Sequence, residues 1–341
     1  MIEQRLRHGR RGAVQRPFCQ QAQIQPRGYS RPLQAALTDF GAELAFAQAS
    51  ARLQQHYGID VPPTAVRRIS LHHGRQLQDW TPPARTTPDT ARLVNECDGS
   101  LLPLREPLVI NAAGQRTMPR AWKEVRLCAA RAEGTASARY GATLGSVLEV
   151  GELWEQTARA AGLGEQTRVH GVGDGAPWIA EQFDRHFGGQ GRYLVDFYHV
   201  TEYLAAAAPT CAPRAVERWL RRQQERLKAN QLDRVLRELA AHMEPAVPVE
   251  RGRRLDGESV TPVRDCERYL RTRRGQLDYA GALAAGLPIG SGLIESGHRH
   301  VVQARLKKAG AWWYVQHAQS MLALRVVRAN GDWNHYWNSQ N

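Results

Sequence analysis

The sequence predicts an α/β protein: a mixed β-sheet, split by an all-helical insertion and preceded by a small helical domain. Three observations predict it. Alternating apolar and polar residues mark three strands between residues 93 and 142, a helix-strand-helix-strand run follows up to Val195, and residues 199–288 are charged and helical in pattern. With 341 residues the chain can bury a large core and hold two or three domains.

Residues 1–30 carry Arg5, Arg7, Arg10, Arg11 and Arg16 with little apolar periodicity, the pattern of a basic, disordered arm. Residues 31–80 read as a helical DNA-binding domain. From Pro32 the stripe Leu33, Leu37, Phe40, Leu44, Ala47 and Ala51 has helical spacing and ends near Tyr57-Gly58. After a turn at Gly58-Ile59-Asp60, Thr64 can cap a second helix that turns Val66, Ile69 and Leu77 inward and leaves Arg67, Arg68, His72 and Arg75 outside. Two adjoining helices with a basic second member make a helix-turn-helix candidate. A plain helical hairpin packed on the next domain fits the same pattern. Residues 81–91, rich in Pro and Thr, read as a linker.

A second, α/β domain is expected over 92–204, with further helices at 288–341. Leu93 to Leu104 is a strand carrying Asp98. Trp122 to Arg131 alternates Val125, Leu127 and Ala129 against Glu124, Arg126 and Cys128, with Glu124 read as an exposed charge on an edge strand. Arg139 to Ala142 closes an antiparallel meander. A helix from Leu144 to Ala161, a strand from Arg168 ending at Asp174, a helix from Trp178 to Phe187 and a strand from Arg192 ending at Asp196 follow. Three strands and then α-β-α-β is the order of a ribonuclease H-like domain. The helical insertion, residues 205–287, holds amphipathic helices at Pro213–Ala229 and Gln231–Met243, a Pro- and Arg-rich loop, and further helix from Pro262 to Ala285.

A formal net charge of +13 favours an acidic partner, and nucleic acid is the default because clustered cations release counterions from phosphates. A GC-rich coding bias accounts for Arg in place of Lys, but not for the excess of cations. The five cysteines, Cys19, Cys97, Cys128, Cys211 and Cys266, form no Cys-x-x-Cys pair, which argues against structural zinc and fits a reducing compartment. No apolar run is long enough for a bilayer; even Leu204 to Ala208 is short and closed by Pro209. The expectation is a cytoplasmic, nucleoid-associated protein without a membrane partner.

Three acidic motifs carry the chemistry: Cys97-Asp98-Gly99-Ser100, Gly173-Asp174-Gly175-Ala176, and Gly290-Ser291-Gly292-Leu293-Ile294-Glu295-Ser296. The last delivers Glu295 to the start of a helix, followed by Arg299, Arg305, Lys307 and Lys308 as phosphate contacts. A lone Asp-Gly is usually a turn, so the signal lies in the joint pattern. Carboxylates in a basic segment suit metal-dependent phosphodiester chemistry, since Mg²⁺ takes carboxylate oxygens. Asp196 also ends a strand, three residues before His199. Both read as supporting groups, with a strand-end hydrogen bond to the next helix as the plain alternative. Trp178, Trp312, Trp313 and Tyr314 fit base stacking or ordinary packing.

Taken in order, Gly173-Asp174-Gly175-Ala176-x-Trp178-Ile179, Val195-Asp196-Phe197-Tyr198-His199, Gly290-Ser291-Gly292-x-x-Glu295-Ser296 and Arg305-x-Lys307-x-x-Gly310-x-x-Trp313 resemble the DDE transposases of bacterial insertion sequences, on the Mutator-related branch. The resemblance implies a ribonuclease H-like catalytic domain with Asp98, Asp174 and Glu295 as catalytic and metal-binding triad, and two Mg²⁺ (or Mn²⁺) ions per active site. It also implies DNA partners, both element ends and target, and a homo-oligomer assembled on paired ends. Arg67, Arg68 and Arg75 would then contact the ends. A solitary ribonuclease H-like nuclease and an inactive DNA-binding repressor of transposition are the alternative readings.

Overall fold

The computed structural model describes residues 6–7, 14–15, 28–82, 88–107, 109–110, 116–246 and 259–340. Most of the basic arm, the middle of the linker and the Pro- and Arg-rich loop at 247–258 lie outside the described residues. Leu6–Arg7 pairs antiparallel with Val14–Gln15. Contacts divide the chain into two units, one of Met1–Ala84, Leu101–Lys123 and Arg299–Asn341, the other of Arg85–Ser100 and Glu124–His298.

The first unit opens with α1 (Arg31–Glu43), α2 (Phe46–Tyr57) and α3 (Pro63–Gln76). Together they bury Leu37, Ala49, Leu53, Val61, Val66 and Ile69. The sequence stripe reads as one helix through residue 57, yet the chain breaks at Leu44, which is extended. The reason is tertiary. Arg305 Nε donates to the Gly41 carbonyl at 3.0 Å and Arg325 Nη1 to the Ala42 carbonyl at 3.3 Å, so distant arginines satisfy the last carbonyls of α1. Thr64, expected to cap α3, lies inside it, because Pro62 occupies the cap and Pro63 the first helical position.

The second unit is built on one five-stranded sheet. Its strands are β1 (Arg92–Arg105), β2 (Arg120–Ala132), β3 (Arg139–Thr143), β4 (Arg168–Gly173) and β5 (Gly191–Val195), in the order β3-β2-β1-β4-β5. β2 and β3 are antiparallel, whereas β1, β4 and β5 run parallel. The Glu133 amide bonds the Arg92 carbonyl and Glu124 lies against Gly99, so β1 and β2 run in opposite directions. β2 is therefore interior, and Glu124 is half-buried and paired with Arg126 at 2.5 Å rather than exposed on an edge.

Helices α4 (Val147–Ala160) and α5 (Pro177–Phe187) pack Trp154, Phe183 and Phe187 against Leu93, Cys97 and Val169. A Ser146/Glu149 capping box starts α4, and Trp154 Nε1 donates to Asn95 Oδ1 at 2.6 Å. Strand alternation gives this face Leu93, Asn95 and Cys97, leaving Val94, Glu96 and Asp98 to the other. Next come α6 (Phe197–Cys211), α7 (Val216–Lys228), α8 (Leu232–Ala240), α9 (Pro262–Thr272) and α10 (Tyr279–Ala284). They close a core of Phe197, Leu204, Trp219, Leu227, Val235 and Leu270. Pro209 sits inside the last turn of α6 instead of closing it. The unit ends with the short α11 (Gly292–Gly297), which runs on as a π-helical turn, His298–Gln303.

The first unit is completed by α12 (Val315–Ala329) and α13 (Trp333–Asn338). The aromatic tail packs onto α3: His73 Nδ1 lies 2.8 Å from the Tyr336 hydroxyl and its Nε2 3.0 Å from Gln34 Oε1. Burial pushes His73 down to about 4, so the folded chain holds it neutral. As pH falls below the unfolded imidazole value near 6.5, the unfolded chain takes up a proton that the folded one does not. Stability should therefore drop between about pH 6.5 and 4, by up to roughly 3 kcal/mol from this group. His73→Gln should flatten that part of a urea-unfolding pH profile; an unchanged slope would assign it elsewhere. No helix among the described residues is long and apolar enough to cross a membrane.

Candidate active site

Asp98 lies midway along β1, two residues past Glu96, the last β1 residue paired with β4, and Asp174 directly follows β4; the two strands are adjacent and parallel. Each carboxylate turns one oxygen to a backbone amide that follows it, Asp98 Oδ1 accepting the Gly99 amide at 2.7 Å and Asp174 Oδ1 the Ala176 amide at 2.8 Å. Burial pushes the Asp174 carboxyl above its ordinary range. The Asp98 charge adds to the rise, while the Ala176 bond, His199 and Arg273 hold it back. The two carboxylates are thus near enough to repel, and a cation there would relieve the repulsion.

Glu295 reaches this end of the sheet on α11, whose placement is fixed at several points. The Gly290-Ser291-Gly292 turn is held by Asp196. Its Oδ2 accepts both the Ser291 amide, at 2.7 Å, and the Ser291 hydroxyl, while Oδ1 accepts the amides of Tyr198 and His199 at the start of α6. Farther along, Glu96 Oε2 accepts the Ile294 amide at 2.7 Å. Gly297 lies so close to Leu127 and Tyr140 that an added Cβ would come within 2.9 Å of both. Finally His298, buried three residues after Glu295, sets Nε2 3.2 Å from Asp98 Oδ2, an ion-pair distance without hydrogen-bond geometry. Glu295 is exposed, and its carboxylate makes no hydrogen bond or ion pair among the described residues.

Helix α9 of the insertion reaches the same loop. The Tyr269 hydroxyl donates to the Asp174 carbonyl at 2.5 Å, and Arg273 Nε to the Gly175 carbonyl at 2.8 Å. Gly175 has φ +78, the left-handed region, and its bare Cα leaves space for both side chains. His199 packs edge-on to Tyr203 and Tyr269 and pairs with Glu202 at 3.2 Å.

The sequence-expected residues therefore divide. Asp98 and Asp174 share one site, with Asp196 and His199 around it. Asp196 is 3% exposed, and its oxygens are occupied by the α6 start and the Ser291 turn, the strand-end alternative combined with a second grip. Glu96, Ser291, Tyr269, Arg273 and His298 were missed. Glu96 is two residues from Asp98, which on a strand means the same face, so alternation carried a signal for it. Nothing local announces Tyr269 or Arg273.

Among the described residues no three His, Cys, Asp or Glu side chains are gathered to hold a metal ion. The donor chemistry nonetheless suits a hard cation: two carboxylate oxygens facing like charge, with a third carboxylate on the neighbouring helix.

In the first unit, Arg67, Arg68 and Arg75 line a groove of about 330 Å³ with Thr64, Leu71, Gln316 and His317. Burial lowers the pKa of His317, and Arg67 and Arg75 lower it further. Burial, then Arg75 and Arg68, do the same to His72. The groove is therefore electropositive. Arg299 is exposed, and Lys307 and Lys308 are half-buried. Arg305 corrects the expectation of a phosphate contact. It is 3% exposed, with its guanidinium between the Phe46 and Trp313 rings at 4.7 and 4.8 Å and its Nε on the Gly41 carbonyl. Burial pushes it down to about 10. Trp313 is likewise core, its Nε1 on the Leu306 carbonyl, while Trp312 packs against the exposed Trp122.

Comparison with curated proteins gives no match. Among solved structures, the Drosophila P element transposase strand transfer complex is similar at 7% identity and a TM-score of 0.34, over 95% of this chain and 84% of that one. At that score the likeness decides nothing about this chain. The family described as Uncharacterised protein family (UPF0236) matches residues 159–339, from the end of α4 through α13. That match spans more than half of the 341 residues, and the chain belongs to this family.

Proposed function

We propose that the protein is a DDE transposase, one that binds the ends of its element and catalyses metal-dependent DNA cleavage and strand transfer. The observation that carries this reading is the repelling pair Asp98 and Asp174 on adjacent parallel strands, with the Glu295 helix seated beside them. The strand order, three strands with the first central and two more parallel to it, supports a ribonuclease H-like domain.

Asp98, Asp174 and Glu295 are the oxygen donors that would hold two Mg²⁺ or Mn²⁺ ions. When bound, such ions neutralise phosphate charge and favour both the attacking and the leaving oxygen. In cleavage, a water oxygen bonds phosphorus, the P–O3′ bond breaks and the 3′ oxygen leaves as a hydroxyl. In transfer, that hydroxyl oxygen bonds a target phosphorus, the target's own P–O3′ bond breaks, and the target 3′ oxygen leaves as a hydroxyl. The chain's own groups position the reaction: Arg273 and Tyr269 fix the Asp174 loop, and His298 lies against Asp98. Arg67, Arg68 and Arg75 supply phosphate contacts for end binding, with α2 and α3 as the helix-turn-helix, and a homo-oligomer pairs two ends.

Incubating the protein with plasmid carrying the DNA that flanks its coding region tests the reading. Nicks with 3′-hydroxyl ends at the element boundaries, in Mg²⁺ but not in EDTA, are expected. Tight, end-selective binding without cleavage would favour the repressor instead, and cleavage without strand transfer the solitary nuclease.

A further inference from the structure

The start of α11 poses an accounting problem. A helix leaves its first amides without partners inside the helix, and the residue before it normally supplies a side-chain acceptor. Here that residue is Ser291, whose hydroxyl is turned to Asp196 and makes no cap bond. The amides of Leu293 and Ile294 need an acceptor from elsewhere, and the sheet provides it. Glu96, 1% exposed on β1, places Oε2 2.7 Å from the Ile294 nitrogen. The residue after Ile294 is Glu295.

We propose that Glu96 is a positioning residue: it grips the amide next to Glu295 and sets where that carboxylate stands relative to Asp98, its neighbour on the same face of β1. This rests on the reading of Glu295 as a catalytic group. Three features favour the assignment over a generic buried carboxylate. The bond joins the strand that carries one catalytic candidate to the helix that carries another. The alternative local cap is already committed. The other grips, Asp196 on Ser291 and Gly297 against Leu127 and Tyr140, flank the Ile294 bond on either side, so Glu96 holds the middle of the helix they seat. What Glu96 supplies to Ile294 is an acceptor oxygen in a fixed place, and glutamine carries the same oxygen. A direct metal ligand would need the charge instead. That difference makes the assignment testable.

The experiment uses the full chain and the variants Glu96→Gln, Glu96→Leu and Glu96→Asp, with two readouts. The first is hydrogen exchange by mass spectrometry over residues 290–297; the second is the cleavage rate in Mg²⁺ at saturating DNA, alongside the DNA Kd. In Glu96→Leu the 290–297 amides should exchange about 10-fold faster, since a freed helix start opens locally. Cleavage should fall on the order of 100-fold through misplacement, with Kd within about twofold. Glu96→Gln should restore both. Should Glu96→Leu fail to fold, Glu96→Asp, shorter by one methylene, should show the same two losses in smaller measure. A Glu96→Gln protein as inactive as Glu96→Leu would overturn the proposal in favour of a charge role. Exchange and cleavage unchanged in Glu96→Leu, or in Glu96→Asp if that is the folded variant, would overturn it altogether. If the wild type cleaves no DNA, the transposase reading fails, and the exchange comparison alone decides whether Glu96 holds this turn.

Discussion

Glu295→Gln should lower the cleavage of end-bearing DNA in Mg²⁺ by about 10³-fold or more, while DNA binding holds or tightens. Glutamine keeps the shape of the side chain and removes one negative charge from the group that would hold the cations. Because Glu295 is exposed and its carboxylate makes no bond among the described residues, the substitution costs the fold nothing that the structure identifies. An equal loss in Asp174→Asn is expected for the chemistry. There, melting should also rise slightly or stay level, since Asp174 is half-buried and repelled by Asp98, and losing the charge relieves that repulsion. Cleavage by Glu295→Gln at the wild-type rate would remove it from the catalytic set.

Asp196→Ala should be the most damaging change outside the triad, and damaging in two ways. It strips the start of α6 of its side-chain cap, worth about 1 kcal/mol, and leaves the half-buried Ser291 amide without its acceptor, at a further cost of about 1 kcal/mol. It also frees the turn that leads to Glu295, so cleavage should fall on the order of 100-fold even where the protein remains folded. Asp196→Asn keeps an oxygen for the α6 amides and should recover most of the melting temperature but only part of the cleavage, because an amide NH₂ cannot accept from Ser291. Urea unfolding and single-turnover cleavage on the same preparations separate these effects. Asp196→Asn with full stability and no detectable cleavage would instead mark Asp196 as a ligand in its own right.

What the sequence revealed follows from how local each cause is. The strands at 92–105, 168–173 and 191–195 alternate or end in apolar runs, and helix α5 begins at a proline, so pattern alone located them within a residue or two. The same pattern placed Asp98 within the first of these strands and Asp174 directly after the second. The break at Leu44 was not, because its cause is a pair of arginines more than 260 residues away in the chain. Arg305 was misread for the same reason. Its neighbours in sequence are basic, but its neighbours in space are Phe46, Trp313 and the carbonyl of Gly41. Glu124 shows the reverse error, since a pattern of alternation fixes which side of a strand a residue takes but not whether another strand lies beyond it. The partners that seat Glu295 are mostly long-range; Asp196 showed as a carboxylate at a strand end, and Glu96, in step with Asp98, left a fainter trace in the sequence.

The central claim is that Asp98, Asp174 and Glu295 serve one divalent-cation site. A crystal structure of the protein with DNA and Mn²⁺, recorded at a wavelength where manganese scatters anomalously, tests it most directly. The account predicts anomalous peaks between the carboxylates of Asp98 and Asp174, with Glu295 completing the coordination and Glu96 still on the Ile294 amide. Peaks at other acidic residues, with Asp98 and Asp174 free of manganese, would contradict it.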